Sequence, residues 1–376
     1  MQAIRLLAPG PRELRLVDVP VPACGPSEVL LRVRAASICG TDSHIYEWDP
    51  SIRTRIERAT DGLRRGLTIG HEFCGEVVEI GRDVRGVARD ASEPIRIGDF
   101  VSAESHVVCW KCYSCRQGQQ NVCLDDVILG VERDGGFAEY IALPATCAWI
   151  NDPATIAPEI ASVFEPFGNA VHAATEYPLA GRSVAIFGAG PIGLFTQIVA
   201  MAEGARTVAV VDPVPFRLGL AERLGATRCL RPDPPVTDEA ARAAARDRLV
   251  ERIRETSPDG QVDVCFEMSG HPDALDAALG AVRRGGKVIA FGLPRENAVV
   301  FRRYSEDVVF GGITLKGIIG RKIYDTWYKT RQLASRPDVR ERIRAVITDI
   351  LPFAEWQSGF EKMSSRESGK VVLRLS

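Results

Sequence analysis

Four cysteines, Cys109, Cys112, Cys115 and Cys123, stand close together in the spacing C-x2-C-x2-C-x7-C. A tight knuckle with this spacing can aim four sulfurs at one point, and zinc takes four thiolates tetrahedrally in a closed structural site. A redox or disulfide cluster is the alternative, but nothing else in the sequence is typical of a secreted protein. The spacing therefore predicts a structural zinc ion.

A second group of residues offers ligands of mixed type. Cys39 lies in Ile38-Cys-Gly-Thr-Asp42, and His71 and Glu72 follow Gly70. A thiolate, an imidazole and a carboxylate suit a catalytic zinc, which keeps one coordination position open. Each residue alone is more often packed than metal-bound. Consecutive side chains diverge in a strand, so His71 and Glu72 can share a metal only where the backbone is irregular, which Gly70 permits.

Glu165, in Phe164-Glu-Pro-Phe-Gly-Asn169, is a further candidate carboxylate for this site. Its alternative role is that of an acidic residue at a helix start, where the helix dipole favours it.

A third motif is typical of dinucleotide binding. Gly188, Gly190 and Gly193 stand between a predicted buried strand and a predicted helix, and Asp212 follows the last glycine by 19 residues at a strand end. The glycines allow a tight turn and close approach of a pyrophosphate to the helix N-terminus. Asp212 would accept hydrogen bonds from the adenosine ribose and repel a 2′-phosphate, which favours NAD over NADP. A purely structural glycine turn is the alternative.

The elements that must position these residues fall into two groups. Residues 1 to about 100 contain short apolar runs, such as 28–34 and 74–80, which predict strands of a compact barrel or sandwich. Two polar segments, 49–66 with five arginines and 85–95, are predicted to be surface excursions.

From about residue 160, predicted strands alternate with helices, and this alternation predicts a parallel, doubly wound sheet. Ligands bind such sheets at the carboxyl ends of the strands. That rule places Phe291 and Leu293 near the cofactor, beside Gly188 and Asp212. The final run, 369–375, is predicted to be a strand that needs a partner in the first domain.

Composition limits the classes of function. The chain has 376 residues, 47 Lys and Arg against 49 Asp and Glu, and a formal net charge of -2, so neither a nucleic acid nor a membrane surface is an expected partner. Ten cysteines, several of them core-like, suit a reducing compartment, and the N-terminus has no signal-peptide pattern. We expect a cytoplasmic protein.

Together these motifs resemble the zinc-dependent medium-chain dehydrogenase/reductase family over the whole length. Gly135-Gly-Phe-Ala-Glu-Tyr140 and Ile97-Gly-Asp99 add to the likeness. The resemblance implies an α/β chain with a GroES-like β-barrel catalytic domain carrying the structural zinc lobe (1–158), a Rossmann NAD-binding domain (159–325) and a C-terminal segment returning to the catalytic domain (326–376). It also implies a homotetramer.

The resemblance implies roles for individual residues. Cys39, His71, Glu72 and Glu165 would serve the catalytic zinc, with some exchange between the two carboxylates or a water. Thr41 and His44 would form a proton relay. The NAD-contacting positions would be Gly188, Gly190, Ile192, Gly193, Asp212, Arg217, Phe291, Leu293, Ile318 and Ile319.

The expected reaction is oxidation of a secondary alcohol. Zinc would lower the pKa of the substrate hydroxyl, carbon would transfer hydride to NAD, and the proton would leave through Thr41 and His44. The pieces around Glu165 and 320–329 resemble enzymes that convert L-threonine to 2-amino-3-oxobutanoate. Glu165 stands where such enzymes are expected to have Asp, so a polyol, a cyclitol or another amino alcohol is the alternative substrate. A zinc- and nucleotide-binding protein without catalysis is disfavoured because it would not need the relay.

Overall fold

The structure is a computed structural model that describes residues 1–59, 63–64, 66–84, 94–294 and 299–375. Most of the second polar segment, 85–93, lies outside this part of the chain, as do residues 60–62 and 65 of the arginine-rich segment.

The described strands, in chain order, are β1 (Gln2–Leu6), β2 (Leu14–Asp18), β3 (Glu28–Ser37), β4 (Leu67–Thr68), β5 (Glu72–Ile80), β6 (Phe100–Ala103), β7 (His106–Val107), β8 (Val127–Ile128), β9 (Tyr140–Pro144), β10 (Ala148–Ile150), β11 (Ser183–Phe187), β12 (Thr207–Val211), β13 (Arg228–Leu230), β14 (Val262–Glu267), β15 (Val282–Ala290), β16 (Thr314–Gly317), β17 (Ile347–Pro352) and β18 (Lys370–Arg374).

The described α-helices are α1 (Gly40–Tyr46), α2 (Pro50–Ala59), α3 (Tyr113–Arg116), α4 (Pro158–Ser162), α5 (Phe164–Ala174), α6 (Pro191–Ala202), α7 (Pro215–Arg223), α8 (Glu239–Arg254), α9 (Pro272–Ala281), α10 (Asp325–Ser335), α11 (Pro337–Val346) and α12 (Trp356–Ser365). A π-helical segment covers Tyr304–Val309.

The chain divides into two compact units. The first comprises Met1–Pro166, Lys322–Arg331 and Ile347–Ser376, and the second comprises Phe167–Arg321 and Gln332–Val346. The domain limits given above, near residues 158 and 325, stay a prediction.

The first unit is built on a largely antiparallel sheet in the order β10-β6-β5-β3-β18-β17, with β9 also beside β3. The long strand β3 lies at its centre because seven of its ten residues are buried apolar or small side chains. The last strand of the chain, β18, pairs antiparallel with β3, which confirms the predicted partner in the first part of the sequence. The ligand-bearing segments are thereby brought to one sheet.

The second unit contains a parallel sheet in the order β13-β12-β11-β14-β15-β16. In sequence order this is 3-2-1-4-5-6, the arrangement of Rossmann dinucleotide-binding folds, and it confirms the predicted doubly wound sheet. The neighbouring strands β11 and β12 are continuous apolar runs after their first residue, as expected where helices cover both faces. The order reverses between β11 and β14, so the strand ends there form the expected ligand-binding crevice.

The described part of the arginine-rich segment lies mostly at the surface, as predicted, but it is a regular helix, which the sequence did not predict. Residues Pro50–Ala59 form the regular helix α2, and Ile56 on it is fully buried. Ile52, partly buried, packs on the same core, and two isoleucines among polar residues give little periodic signal.

Candidate active site

The cysteine knuckle brings its four sulfurs together as predicted. Cys109, Cys112, Cys115 and Cys123 place their Sγ atoms within 4.8 Å of one another. The Cys109–Cys123 and Cys112–Cys123 sulfur distances are 3.5 and 3.9 Å. Tetrahedral zinc with bonds of about 2.3 Å requires sulfur separations of about 3.8 Å. The knuckle therefore fits a zinc ion.

Backbone amides support this arrangement. The N–H of Cys112 donates to Cys109 Sγ at 3.3 Å, and the N–H of Asp125 donates to Cys123 Sγ at 3.4 Å. Backbone N–H groups of Leu124 and Cys115 lower the pKa of the Cys112 thiol to about 6. Because zinc binds thiolates, donors that stabilise the charged sulfur favour metal binding.

The second ligand group also converges. Cys39 Sγ, a His71 ring nitrogen and a Glu72 oxygen lie within 4.8 Å of one another. Cys39 is the N-cap of α1, whereas His71 precedes β5 and Glu72 begins it. Gly70 has φ +91°, so the backbone is irregular at the position where His71 and Glu72 must turn toward one point. A Cβ at Gly70 would lie 2.1 Å from the Phe137 ring, which makes glycine necessary there.

Asp42 lies beside this ligand group, and the sequence reasoning did not single it out. It is fully buried, and its Oδ1 lies 3.6 Å from Nδ1 of His71. Within the described part of the chain neither atom has a hydrogen-bond partner. Metal-binding histidines usually direct their second nitrogen at a carboxylate, which fixes the ring orientation. The pair Asp42–His71 has this arrangement, with Asp42 Oδ2 held by the N–H of Cys39 at 2.8 Å.

The electrostatics of the cluster attract a cation. Burial alone would lower the pKa of His71, but the charges of Asp42 and Cys39 raise it well above its usual value. Burial raises the pKa of Asp42 to about 6. A site whose negative groups draw a proton onto its histidine can instead draw a metal ion. The donor set and its charge thus fit zinc.

A lysine from the last strand completes the surroundings of Glu72. Lys370 Nζ donates to Glu72 Oε1 at 2.7 Å and lies 2.5 Å from Oε2. Ser37 Oγ donates to Oε2 as well. Burial alone would lower the pKa of Lys370, but Glu72 and Cys39 raise it, so the ammonium keeps its charge.

Glu165 occupies the first turn of α5 and is buried. Its Oε1 accepts a hydrogen bond from Ser105 Oγ at 2.7 Å, and its charge contributes to the raised pKa of His71. Ser105 Oγ also lies 3.3 Å from Nδ1 of His106, which in turn lies 3.0 Å from Glu104. Glu104 accepts a further bond from Trp327 Nε1 at 2.8 Å. The sequence did not predict this network. Through Ser105, it holds the Glu165 carboxylate by a hydrogen bond from a neighbouring side chain.

The relay candidates lie on one face of α1. Thr41 Oγ1 is 3.9 Å from Cys39 Sγ, and His44 follows Thr41 by three residues, so both side chains point to the same side of the helix. The His44 side chain is 48% exposed and faces Asp49 at 3.4 Å. A proton leaving the ligand cluster along α1 would therefore arrive at a residue in contact with solvent.

One arginine of the arginine-rich segment forms ion pairs with two acidic residues. Arg55 on α2 is paired with Glu132 at 2.7 Å and with Asp126 at 3.0 Å. Its guanidinium is thus engaged in the structure of the first unit, which favours a structural role for this part of the segment.

In the second unit, the glycine motif forms the turn that a pyrophosphate needs. Gly188 has φ +101°, and Gly190 is the N-cap of α6. A Cβ at Gly193 would lie 1.8 Å from the Gly188 carbonyl oxygen, so only glycine allows the helix to pack so close to the turn. A Cβ at Gly190 would meet no atom within 4 Å, which leaves open space before the helix N-terminus. This space fits a phosphate group.

Asp212 follows β12 directly and is buried. Its Oδ2 accepts from the N–H of Ala189 at 2.7 Å, and its Oδ1 accepts from the N–H of Val214 at 2.8 Å. The carboxylate thus ties the glycine turn to the end of β12 and keeps lone pairs for ribose hydroxyls. The other predicted cofactor residues lie at the start of α6 or α7, or after β15 or β16, and they are Ile192, Arg217, Phe291, Leu293, Ile318 and Ile319.

None of the helices formed by the described residues is both long enough and apolar enough to cross a membrane.

Comparisons with known proteins agree with the site. The family model "Alcohol dehydrogenase GroES-like domain" matches residues 25–152, and the model "Zinc-binding dehydrogenase" matches residues 191–336. An L-threonine 3-dehydrogenase of Symbiobacterium thermophilum is 41% identical over 373 residues, which cover 99% of this chain and 97% of the relative. An L-threonine 3-dehydrogenase of Caldanaerobacter subterraneus subsp. tengcongensis is 40% identical over 358 residues, which cover 95% of this chain and 94% of the relative.

Solved structures give the same result. An alcohol dehydrogenase from Thermotoga maritima has a TM-score of 0.82 at 26% identity and covers 99% of this chain and 98% of its own. One from Thermus sp. ATN1 has a TM-score of 0.81 at 26% identity, with both chains covered at 100%.

A chain equipped for two zinc ions and a dinucleotide can carry out metal-assisted hydride transfer, which defines the class of zinc-dependent dehydrogenases. The chain belongs to the zinc-dependent medium-chain dehydrogenase/reductase family, and the resemblance noted in the sequence is confirmed.

Proposed function

We propose that this enzyme oxidises the 3-hydroxyl of L-threonine with NAD and forms 2-amino-3-oxobutanoate. The observation that carries the proposal is the identity of 40–41% to L-threonine 3-dehydrogenases over at least 95% of this chain. The complete ligand cluster around Cys39, His71 and Glu72 supports a catalytic role for the chain.

The chemistry assigns distinct tasks to the residues. Cys39 and His71, with a carboxylate from Glu72 or Glu165, would hold the catalytic zinc, and Asp42 would orient His71. A zinc ion bound there lowers the pKa of a coordinated hydroxyl, and NAD accepts the hydride.

Two side chains of α1, Thr41 and His44, would carry the proton away from the substrate. Thr41 Oγ1, beside Cys39 Sγ, would accept the proton of the substrate hydroxyl and pass its own proton on toward His44. The His44 side chain is exposed, so it can release a proton to water. The buried carboxylate of Asp42, which faces His71 and accepts from the N–H of Cys39, would keep the imidazole in one orientation.

The choice of cofactor follows from Asp212. A buried carboxylate at the end of β12 would accept bonds from the ribose hydroxyls of NAD and would repel the 2′-phosphate of NADP. We therefore propose NAD as the working cofactor.

A polyol or cyclitol is the second candidate substrate. The observation that favours it is the engagement of Arg55 by Glu132 and Asp126, which removes one arginine that could have bound the carboxylate of an amino acid.

The deciding experiment measures kcat/KM for L-threonine beside a panel of amino alcohols, polyols and inositols, with NAD as acceptor. We expect L-threonine to exceed every other compound by at least about tenfold. The variant Cys39→Ser should be inactive, whereas the matched control Cys229→Ser, a half-buried cysteine outside both clusters, should retain activity. Fast oxidation of a cyclitol with threonine at background would move the enzyme to the second candidate.

We further propose a cytoplasmic homotetramer. The family resemblance supports the tetramer, and the free cysteines of both clusters suit a reducing compartment. Light scattering on the purified enzyme tests the assembly, since a mass of one chain, 41.0 kDa, would contradict it.

A further inference from the structure

Helix α5 holds the chain at the carboxyl end of β16, residues 316–321, by three side chains. These are Asn169, His172 and Glu176, the last of which follows the helix end at Ala174 by two residues. Their spacing of three and four residues places them on one side of the helix. The three side chains and the segment 316–321 all belong to the second unit.

His172 makes the central contact of this set. Its side chain is 3% exposed, and its Nδ1 lies 2.8 Å from the carbonyl oxygen of Gly320. A carbonyl oxygen only accepts, so Nδ1 carries the hydrogen of this bond. Nε2 of the same ring lies 3.2 Å from a carboxylate oxygen of Glu176. The two contacts, at different positions of the ring, hold the imidazole in one orientation.

Contacts on either side of Gly320 hold the same segment. Lys316 forms an ion pair with Glu176, and Arg321 Nη1 donates to Asn169 Oδ1 at 2.9 Å. Arg321 is buried, and so is the side chain of Glu176. Buried charges are stable only when they are paired or hydrogen-bonded, so these contacts are not easily given up. The segment 316–321 is therefore attached to α5 and its extension at three points.

The sheet places this segment on the far side of the crevice from Asp212. The order β13-β12-β11-β14-β15-β16 has β12, which precedes Asp212, on one side of the reversal point and β16 on the other. A dinucleotide lies across that point, with one nucleotide on each half of the sheet. Because Asp212 would bind the adenosine ribose, the residues after β16 belong to the nicotinamide half. Ile319, next to Gly320, is 52% exposed on this segment.

We propose that His172 is a positioning residue for the cofactor. Its hydrogen bond to the carbonyl oxygen of Gly320 fixes the backbone after β16, so that this backbone and Ile319 form a rigid support for the nicotinamide half of the dinucleotide. Lys316 and Arg321 hold the two ends of the same segment. The inference rests on the NAD site of the proposed function, but not on the identity of the alcohol substrate.

The test compares two ligands that share the adenosine half. NADH contains the nicotinamide, whereas ADP-ribose lacks it, and calorimetry on the purified enzyme gives both dissociation constants without any turnover. A variant that loosens only the support at Gly320 weakens binding of NADH and leaves binding of ADP-ribose unchanged. A variant that damages the whole second unit weakens binding of both ligands.

Two substitutions separate the two nitrogens of His172. Asparagine places an amide N–H close to the position of Nδ1, and glutamine places one close to the position of Nε2. His172→Asn should keep the bond to Gly320 and bind NADH within about threefold of wild type. His172→Gln should lose this bond and raise the dissociation constant of NADH by about tenfold, the order of one net hydrogen bond, with ADP-ribose within about twofold of wild type.

The variant Lys316→Met covers the case in which the His172 variants do not fold. Its side chain is 42% exposed, and its partner Glu176 also contacts His172, so the substitution loosens the same segment at a tolerant position. We expect the dissociation constant of NADH to rise by about threefold, with that of ADP-ribose unchanged.

Three results would overturn the proposal. They are equal NADH affinity in the wild type and in the variants that fold, an equal loss in His172→Asn and His172→Gln, and a parallel loss of NADH and ADP-ribose binding. Wild-type enzyme that binds neither ligand would instead refute the NAD site of the proposed function, and this inference with it. Failure of L-threonine as substrate changes none of these measurements.

Discussion

The cofactor preference can be tested by the single substitution Asp212→Asn. Asp212 accepts one backbone N–H on each oxygen, from Ala189 at 2.7 Å and from Val214 at 2.8 Å. Asparagine keeps the shape and one acceptor oxygen but removes the charge. The change therefore separates repulsion of a 2′-phosphate from the structure of the turn.

The expected magnitude follows from Coulomb's law. A carboxylate and a single phosphate charge about 4 Å apart repel by about 1 kcal/mol in water and by about 4 kcal/mol at an effective dielectric constant of about 20. The intermediate value, close to 2.7 kcal/mol, corresponds to about a hundredfold in kcat/KM. One turn hydrogen bond is also lost, which costs about 1 kcal/mol and reduces efficiency with both cofactors.

We therefore expect wild-type enzyme to prefer NAD by about a hundredfold or more, and Asp212→Asn to lower the NAD/NADP ratio of kcat/KM by about the same factor. Steady-state kinetics with both cofactors at fixed ionic strength measure this NAD/NADP ratio of kcat/KM. Asp259→Asn, an exposed acid before the amino end of β14, is the matched control and should leave the ratio unchanged. A wild-type preference for NADP, or an unchanged ratio in Asp212→Asn, would refute the reasoning.

Three further predictions concern metal, proton transfer and stability. Elemental analysis should find two zinc ions per chain in the wild type and one in Cys112→Ser, whose unfolding midpoint should fall because structural zinc contributes folding free energy. His44→Ala should lower kcat by roughly 10²-fold, most strongly at low pH, with zinc content unchanged; wild-type kcat across the pH range would make His44 a structural residue. Trp327→Phe should lower the free energy of unfolding by about 2 kcal/mol in denaturant titrations, because it removes the indole N–H that donates to Oε2 of the buried Glu104 carboxylate. Trp110→Phe, at a 41% exposed side chain, should change it by less than about 0.5 kcal/mol.

The parts of the fold that depend on a local sequence pattern could be predicted from the sequence. The buried strand predicted directly before the glycine motif is β11, because the apolar run Val184–Phe187 suits a strand that is covered on both faces. The glycine motif could be assigned because turn, helix and acidic strand end all lie within a short stretch. The knuckle could be assigned because its four ligands are nearly contiguous.

The features that could not be predicted from the sequence depend on contacts between residues that are far apart in the chain. Asp42 lay inside a motif, yet its partner His71 is reached only through the fold. Lys370 was seen only as the start of a terminal strand, because its contact with Ile38 spans 332 residues. Helix α2 was missed because its arginines obscure the two isoleucines, Ile52 and Ile56, that pack on the core. Local periodicity shows which face is apolar but does not show which strand or carboxylate lies opposite.

The position of β18 between β3 and β17 has a consequence for biosynthesis. A chain emerging from the ribosome can complete the sheet of the second unit early, since strands β11 to β16 are all made before residue 320. The sheet that contains Glu72 in β5 stays incomplete until β18, which begins at Lys370, 298 residues further along the chain, has been synthesised. Loop closure over such a distance is slow. Closure of this sheet by β18 therefore follows synthesis of all strands of the second unit, and a chain that stops short of Lys370 lacks the strand that closes it.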